Sequence, residues 1–437
     1  MKKRELIFFA ALATFLSANA QEKQTWSLED CINYALEKNI QLQQNKISLQ
    51  ESEVDVKTAK AALFPSLSFN TGHNIVNRPY QENSATVSGT EIISSNNKTT
   101  YNGSYSLSAQ WTLWNGGQRL NNIKQQKKNQ EIAELTVAET ENTLKEEITK
   151  LFLQILYADE TVNINKGTLE VSKATYERAK ELFNQGSISK ADLAQLEAQV
   201  ESSLRNYKLQ LKQMLELDGN MEMKLELPVL DDEKVMQLLP NQDEVYQTAL
   251  ANRPEIQSSK LSIDNSKLAI SAAKSGYYPS ISLSASTSST TNNASQNNWA
   301  QQMKYGWNNI IGLTVSVPIF NNRQTKSAVE KAQFQYNSSL LNLQDKQKGL
   351  YTEIETLWLD ALNAQQQYAA AEVKLKSSQT SFDMVNEQFR LGMKNTVELL
   401  TEKNNLLSAQ QQRVQAKYMA ILNRTLLDFY AGKDIEL

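Results

Sequence analysis

Apolar side chains recur in a four–three rhythm over two long stretches of the chain. Positions 144, 148, 151, 155, 158, 162, 165, 169, 172, 176, 179 and 183, and the same set advanced by 206 residues from Leu350 to Phe389, hold 21 apolar residues out of 24. The overall hydrophobic fraction of 40% would supply only about ten. A 4–3 spacing sustained over that length is the seam of a coiled coil. No proline occurs between Pro79 and Pro228 or after Pro318, so helices are predicted over 118–183 and 324–389. At ~1.5 Å per residue each would extend roughly 100 Å. Gly186 and Gly392 follow the last apolar positions, Phe183 and Phe389, as left-handed helix stops do. A return helix is predicted after each. Val200, Leu204, Tyr207, Leu211 and Met214 continue the seam in the first.

A second pattern has period two. Tyr105, Leu107, Ala109, Trp111 and Leu113 alternate with Ser104, Ser106, Ser108, Gln110 and Thr112. Ile311, Leu313, Val315 and Val317 alternate with Gly312, Thr314 and Ser316, and the stretches 66–70 and 280–286 behave alike. Four strands are expected, up to roughly ten residues long, as transmembrane barrel strands require. The polar segments 72–98 and 288–298 read as loops, with His73 in the first. Four strands cannot close a barrel, and an open edge is forbidden in lipid. Eight strands from two copies would largely fill their own interior. Twelve from three copies leave a lumen, so a homotrimer is expected in contact with membrane lipid.

The two patterns are written twice. Phe64-Pro65-Ser66-Leu67-Ser68 recurs as Tyr278-Pro279-Ser280-Ile281-Ser282, 214 residues on, while Phe183 and Gly186 recur as Phe389 and Gly392, 206 residues on. The unit is domain-sized, far longer than a solenoid repeat of roughly 20–50 residues. The expected organisation is a signal peptide over 1–20 and a first repeat over 21–225, with strands at about 65–114 and a helical hairpin at about 118–217. A connector over 226–241 leads to a second repeat over 242–437, with strands at about 279–318 and a hairpin at about 324–431. The fold class is thus mainly α with a membrane β-barrel.

Composition narrows the chemistry. The 437 residues carry 45 Lys+Arg against 48 Asp+Glu, one histidine and one cysteine, Cys31. That excludes an internal disulfide and a His/Cys zinc site. A net charge of −3 argues against nucleic acid as a partner, and no cofactor or metal motif is present. Lys2, Lys3 and Arg4, the apolar run 6–16 and Ala18-Asn19-Ala20 form a secretory signal. Export without a disulfide framework suits a bacterial envelope protein. Cys31, in the first turn of a helix capped by Ser27, is expected to pack rather than react. Asp231-Asp232 in the connector are expected to be a solvated acidic loop, not a hydrolytic pair.

The chain resembles the trimeric outer-membrane efflux duct family, the group typified by the TolC exit channel. The resemblance rests on Ala35-Leu36-x-x-Asn39 with Ala249-Leu250-x-x-Arg253-Pro254-Glu255-Ile256, on the two Pro-led strand starts, and on Leu113-Trp114-Asn115-Gly116-Gly117 with Ile319-Phe320-Asn321-Asn322-Arg323. The hairpin tips complete it. It implies a 12-stranded barrel in outer-membrane lipid, continued by a tunnel of twelve helices. It further implies docking on a periplasmic adaptor and an inner-membrane efflux pump or ABC transporter, and carriage of small toxic molecules or secreted polypeptides. The family's constriction falls on Glu398 and Thr401. The second of these departs from the acidic type, and neighbouring Glu402 points about 100° away on a helix. The restraining ion pair falls on Asp192 and Lys394. The docking tips fall on Phe183, Gly186, Ser187, Phe389, Gly392 and Met393. The competing reading is a non-pore periplasmic coiled-coil structural or adaptor protein, which keeps the seam but has no need of the strands.

Overall fold

The computed structural model describes residues 25–80, 84–88, 91–95, 98–182, 205, 208–213, 215–217, 224–226, 228, 230–293 and 295–435. The expected signal peptide, Phe183, Gly186, Ser187 and Asp192 lie outside the described residues. In chain order the described elements are α1 (Leu28–Lys38), α2 (Ile40–Ala61), β1 (Ser66–Asn77), β2 (Ser84–Ser88), β3 (Glu91–Ser95), β4 (Thr99–Asn115), α3 (Gln118–Leu182), α4 (Asp232–Val235), α5 (Gln242–Asn252), α6 (Pro254–Lys274), a 3-10 turn (Ser275–Tyr277), β5 (Ser280–Asn292), α7 (Trp299–Tyr305), β6 (Asn308–Ser316), α8 (Gln324–Arg390) and α9 (Thr396–Tyr430). Element starts keep both offsets seen in the sequence. α5, α6 and β5 begin 214 residues after α1, α2 and β1, and α8 begins 206 after α3.

The chain divides into two compact units. The first holds 25–46, 136–256 and 346–435 of the described range. It begins with a capping box. The Asp30 N–H donates to Ser27 Oγ at 3.1 Å and the Ser27 N–H to Asp30 Oδ2 at 3.1 Å, which satisfies donors a helix start leaves open. α1 then buries Cys31, Ile32 and Ala35, and Cys31 is fully enclosed among Ile148, Phe152, Leu211 and Val414 in one apolar cluster. In α8, Leu350, Ile354, Ala361, Ala364, Tyr368, Ala371 and Phe382 are buried, each a position of the predicted seam. Phe382 meets Leu399 and Leu406 of α9, so α8 and α9 are the two arms of a hairpin. A fully buried Leu or Phe stabilises by about 1.5–3 kcal/mol, so it is the stripe, rather than helix propensity, that holds arms of this length together.

The second unit holds 47–135 and 257–345. Its sheet is antiparallel, in the order β1-β4-β5-β6, so strands from both repeats share it. The described strands run further than apolar alternation suggested. β1 continues to Asn77 and β5 to Asn292. His73 therefore lies in a strand opposite Gly103, not in a loop. Its Nδ1 is 2.5 Å from the Tyr101 hydroxyl and its Nε2 3.2 Å from Thr71 Oγ1. The alternation ended because the side chains became polar, whereas ladder pairing uses only backbone groups. The expected loop is shorter than 288–298, since β5 takes its first residues, and it is followed before β6 by a short helix, α7, opened by an Asn298–Gln301 capping box. A bulge between Thr112 and Trp114 sets Trp114, not Leu113, across from Ile281. One inserted residue reverses the facing of everything beyond it.

Candidate functional site

The sheet has two chemically distinct faces. Leu67, Ala109, Ala285 and Ile311 form one row across all four strands, Trp111, Leu283 and Leu313 another across three, and Phe69 and Leu107, continued by Thr287 and Asn309, a third. This apolar face is open: Leu67 is 71% exposed, Phe69 65% and Ile311 79%. A soluble sheet buries such a face, and an open apolar area of this extent marks an interaction surface. The opposite rows are Ser66, Gln110, Ser284 and Gly312, then Ser68, Ser108, Ser286 and Ile310, then Asn70, Ser106, Ser288 and Asn308. β1 and β6 are the sheet's edges. Tyr277, Tyr278, Trp307 and Phe320 are exposed around its ends. Pro318, which has no N–H to donate, follows β6.

At the tip of the second hairpin, α8 ends in a Schellman motif. Gly392 has φ +73°. Its N–H donates to the Phe389 carbonyl at 3.0 Å, and the Met393 N–H donates to the Gln388 carbonyl at 2.9 Å, closing carbonyls the helix end leaves free. α9 then starts with a second capping box. The Glu398 N–H donates to Asn395 Oδ1 at 2.9 Å and the Asn395 N–H to Glu398 Oε2 at 3.1 Å. The other carboxylate oxygen, Oε1, accepts from Lys394 Nζ at 2.6 Å. Lys394, and next the Asn395 N–H, hold the Glu398 carboxyl below the usual glutamate range. Thr401 Oγ1 donates to the Val397 carbonyl. Lys394 and Glu398, assigned separate duties in the sequence, thus sit together, and Met393 is exposed. Asp192, the expected partner of Lys394, is outside the described residues.

Two charge clusters escaped sequence reasoning. The connector is not a solvated loop. Asp231 caps α4 through the Glu233 N–H, but Asp232 forms an ion pair with Lys417 Nζ, 2.6 Å from its Oδ1, and accepts at Oδ2 from the Arg413 guanidinium, which also grips Glu372. Burial works to raise the Asp232 pKa, but the bonds and charges of Lys417 and Arg413 outweigh it and hold the carboxyl low. Burial pushes the Tyr368 hydroxyl, beside Arg413, up to about 12. Gln365 Nε2 donates to the Val235 and Gln237 carbonyls, Trp358 Nε1 to that of Pro240 and Arg424 to that of Leu238, so the connector is strapped down. In the other cluster, Arg253 is 7% exposed. Its Nη2 donates to Glu146 Oε1 at 2.7 Å, and its guanidinium lies 3.6 Å from the Tyr430 ring centre. The only sequence signal was the Arg-Pro step. Pro254 opens α6 at the position where a missing N–H costs nothing, and Arg253 caps α5. Among the described residues no group of His, Cys, Asp and Glu suits a metal ion, and no helix is long and apolar enough to cross a membrane.

A family model described as outer membrane efflux protein matches residues 31–216 and 245–433. The chain belongs to the outer membrane efflux protein family. As a member of that family it is an outer-membrane protein. Its relatives are distant in sequence. It is 21% identical over 306 residues to outer membrane protein TolC of Escherichia coli, covering 67% of this chain and 62% of TolC. It is 25% identical over 193 residues to alkaline protease secretion protein AprF of Pseudomonas aeruginosa, covering 43% of this chain and 39% of AprF. The matched stretches thus span less than two thirds of these relatives' length. The fold is retained more fully. A crystal structure of CusC superposes with a TM-score of 0.77 at 17% identity, covering 93% of this chain and 92% of that one. The fold is that of the outer-membrane channels, a duplicated unit of long helical hairpins and barrel strands.

Proposed function

We propose that the chain is one subunit of a homotrimeric exit duct, a passive outer-membrane channel in a tripartite efflux or type I secretion system. Small toxic molecules or secreted polypeptides would pass through it from an inner-membrane pump or ABC transporter, by way of a periplasmic adaptor. The observation that carries this reading is the sheet: four strands with one exposed apolar face, one hydroxyl face and two unpaired edges. In hydrocarbon each open edge would leave a row of N–H and C=O groups unsatisfied, at several kcal/mol per group. Three copies joined β6 to β1 leave no edge. A non-pore coiled coil has no use for such a sheet, and no catalytic role is assigned to any residue.

In the helical hairpins, Glu398 and Thr401 would line the constriction and Lys394 would restrain the hairpin with Asp192. The tips Phe183, Gly186, Ser187, Phe389, Gly392 and Met393 would meet the adaptor. Lys394 would then be shared between Asp192 and Glu398. The deciding experiment is reconstitution of the purified protein in planar bilayers, with the native mass measured in parallel. Three copies and discrete conductance steps are expected. A monomer without conductance would return the chain to the coiled-coil reading.

A further inference from the structure

The strands β1, β4, β5 and β6 hold 12, 17, 13 and 9 residues, and not one is Asp, Glu, Lys or Arg. A chain that is 21% charged would place about eleven there at random. Lipid accounts for the apolar face, where a charge at mid-membrane is strongly destabilising. It does not account for the other face. That face looks into water if the duct reading holds, and water tolerates charge. Yet from Ser66 to Asn74, Asn102 to Gln110, Ser284 to Asn292 and Asn308 to Gly312 the inward rows carry hydroxyl, amide and glycine with one isoleucine, Ile310.

Resting on that reading, we propose that the hydroxyl face is a charge-neutral exit lining. It passes cationic, anionic and uncharged solutes alike. Ser and Asn exchange hydrogen bonds with solute and water with little net gain on either side, so the lining neither holds a solute nor turns one away by sign. Among the described residues, the formal charges on the strand ends leave the middle rows of the face, at Asn70 and Ser106, clear of a strong field. Arg78 and Lys98 lie eight residues beyond the Asn70–Ser106 pair, roughly 27 Å at ~3.4 Å per residue. That is more than three times the ~8 Å Debye length at physiological salt. Arg119 is tied to the Ala62 and Thr112 carbonyls, the second of them six residues from Ser106 and so roughly 20 Å away at ~3.4 Å per residue. Lys304 is on α7, which packs over the opposite face, where Ser289 Oγ donates to the Met303 carbonyl at 3.0 Å.

The test uses thiol chemistry in the whole reconstituted channel. Cys31, the native cysteine, is buried, so the parent supplies an unreactive background. Ser106→Cys and Leu107→Cys are treated separately with two thiosulfonates, one bearing a trimethylammonium group and one a sulfonate. Each rate is divided by that of the same reagent with a small free thiol. The expected result is that Ser106→Cys reacts with both reagents, with a normalised ratio skewed by less than about tenfold, the lower bound of rate changes produced in a cleft of one sign. A skew of tenfold or more toward either sign would overturn the neutral lining and leave the duct standing. If Ser106→Cys reacts with neither reagent, or if Leu107→Cys matches it with both, the duct reading falls and the lining with it. Ser286→Cys, in the next row of the same face, repeats the measurement should Ser106→Cys fail to assemble.

Discussion

Replacing Arg253 by Met should loosen the first unit severely, and a second substitution should undo most of the damage. In the parent the guanidinium is packed against Tyr430 and bonded to Glu146 at 2.7 Å, with both side chains nearly enclosed. Met keeps the volume and removes the charge. Glu146 is then left as an uncompensated buried carboxylate, which costs about 3–5 kcal/mol. At 1.4 kcal/mol per tenfold, thermolysin should cleave Arg253→Met roughly a hundred to several thousand times faster through the opened form, provided reclosing outpaces cleavage. Adding Glu146→Gln removes the orphaned charge and should recover at least half of that loss. The pH dependence has a definite sign. Burial, working against Arg253, already raises the Glu146 pKa, and without Arg253 burial and the Glu353 carboxylate are opposed only by Lys150. A carboxyl with a raised folded pKa stabilises below its unfolded value, about 4.3, and loses that contribution as pH rises through the folded value. The melting deficit of Arg253→Met should therefore be larger at pH 8 than at pH 5, read by tryptophan fluorescence. If the double variant is as labile as the two single losses added together, the pair is not coupled and the reasoning fails.

Other expectations are as direct. Gly392→Ala meets no neighbour within 4 Å, so its cost is the left-handed backbone alone, about 1–2 kcal/mol; amide exchange at 389–395 should accelerate about five- to thirtyfold, and unchanged protection would contradict the Schellman assignment. Asp232→Asn leaves the nearly buried Lys417 without its carboxylate. Discounted for the half-exposed Asp232, the loss is about 1–2 kcal/mol, seen as new protease cuts at 231–240; an intact connector would show that the strap rests on Gln365 and Trp358 instead. If Glu398 governs cation preference, Glu398→Gln should weaken both that preference and divalent block. Because its folded pKa is lowered, the carboxylate and its contribution persist through about pH 4.3 and disappear only as pH falls through the folded value; a reversal-potential midpoint at or above that pH would exclude Glu398.

The seam, the duplication and the strand alternation were legible because each is a periodic property of side chains, and packing reads the same period. Leu350, Ile354, Ala361 and Phe382 are buried where the four–three count put them. The strand ends were not legible, since polar residues such as His73 and Asn74 pair through their backbones as well as Leu67 does. Neither was the bulge before Trp114, which inserts one residue without altering composition. At the tip, Gly392 announced its turn, but nothing in the spacing said that Lys394 would close on Glu398.

By itself, the order of residues determined which faces are apolar, where the helices stop and that one architectural unit occurs twice, since these follow from local geometry and solvation. Only the tertiary structure decided which charges meet. Arg253 and Glu146 stand 107 residues apart, and Asp232 and Arg413 stand 181 apart. A Coulomb interaction depends on distance and burial, and the chain acquires both only after its periodic surfaces have packed.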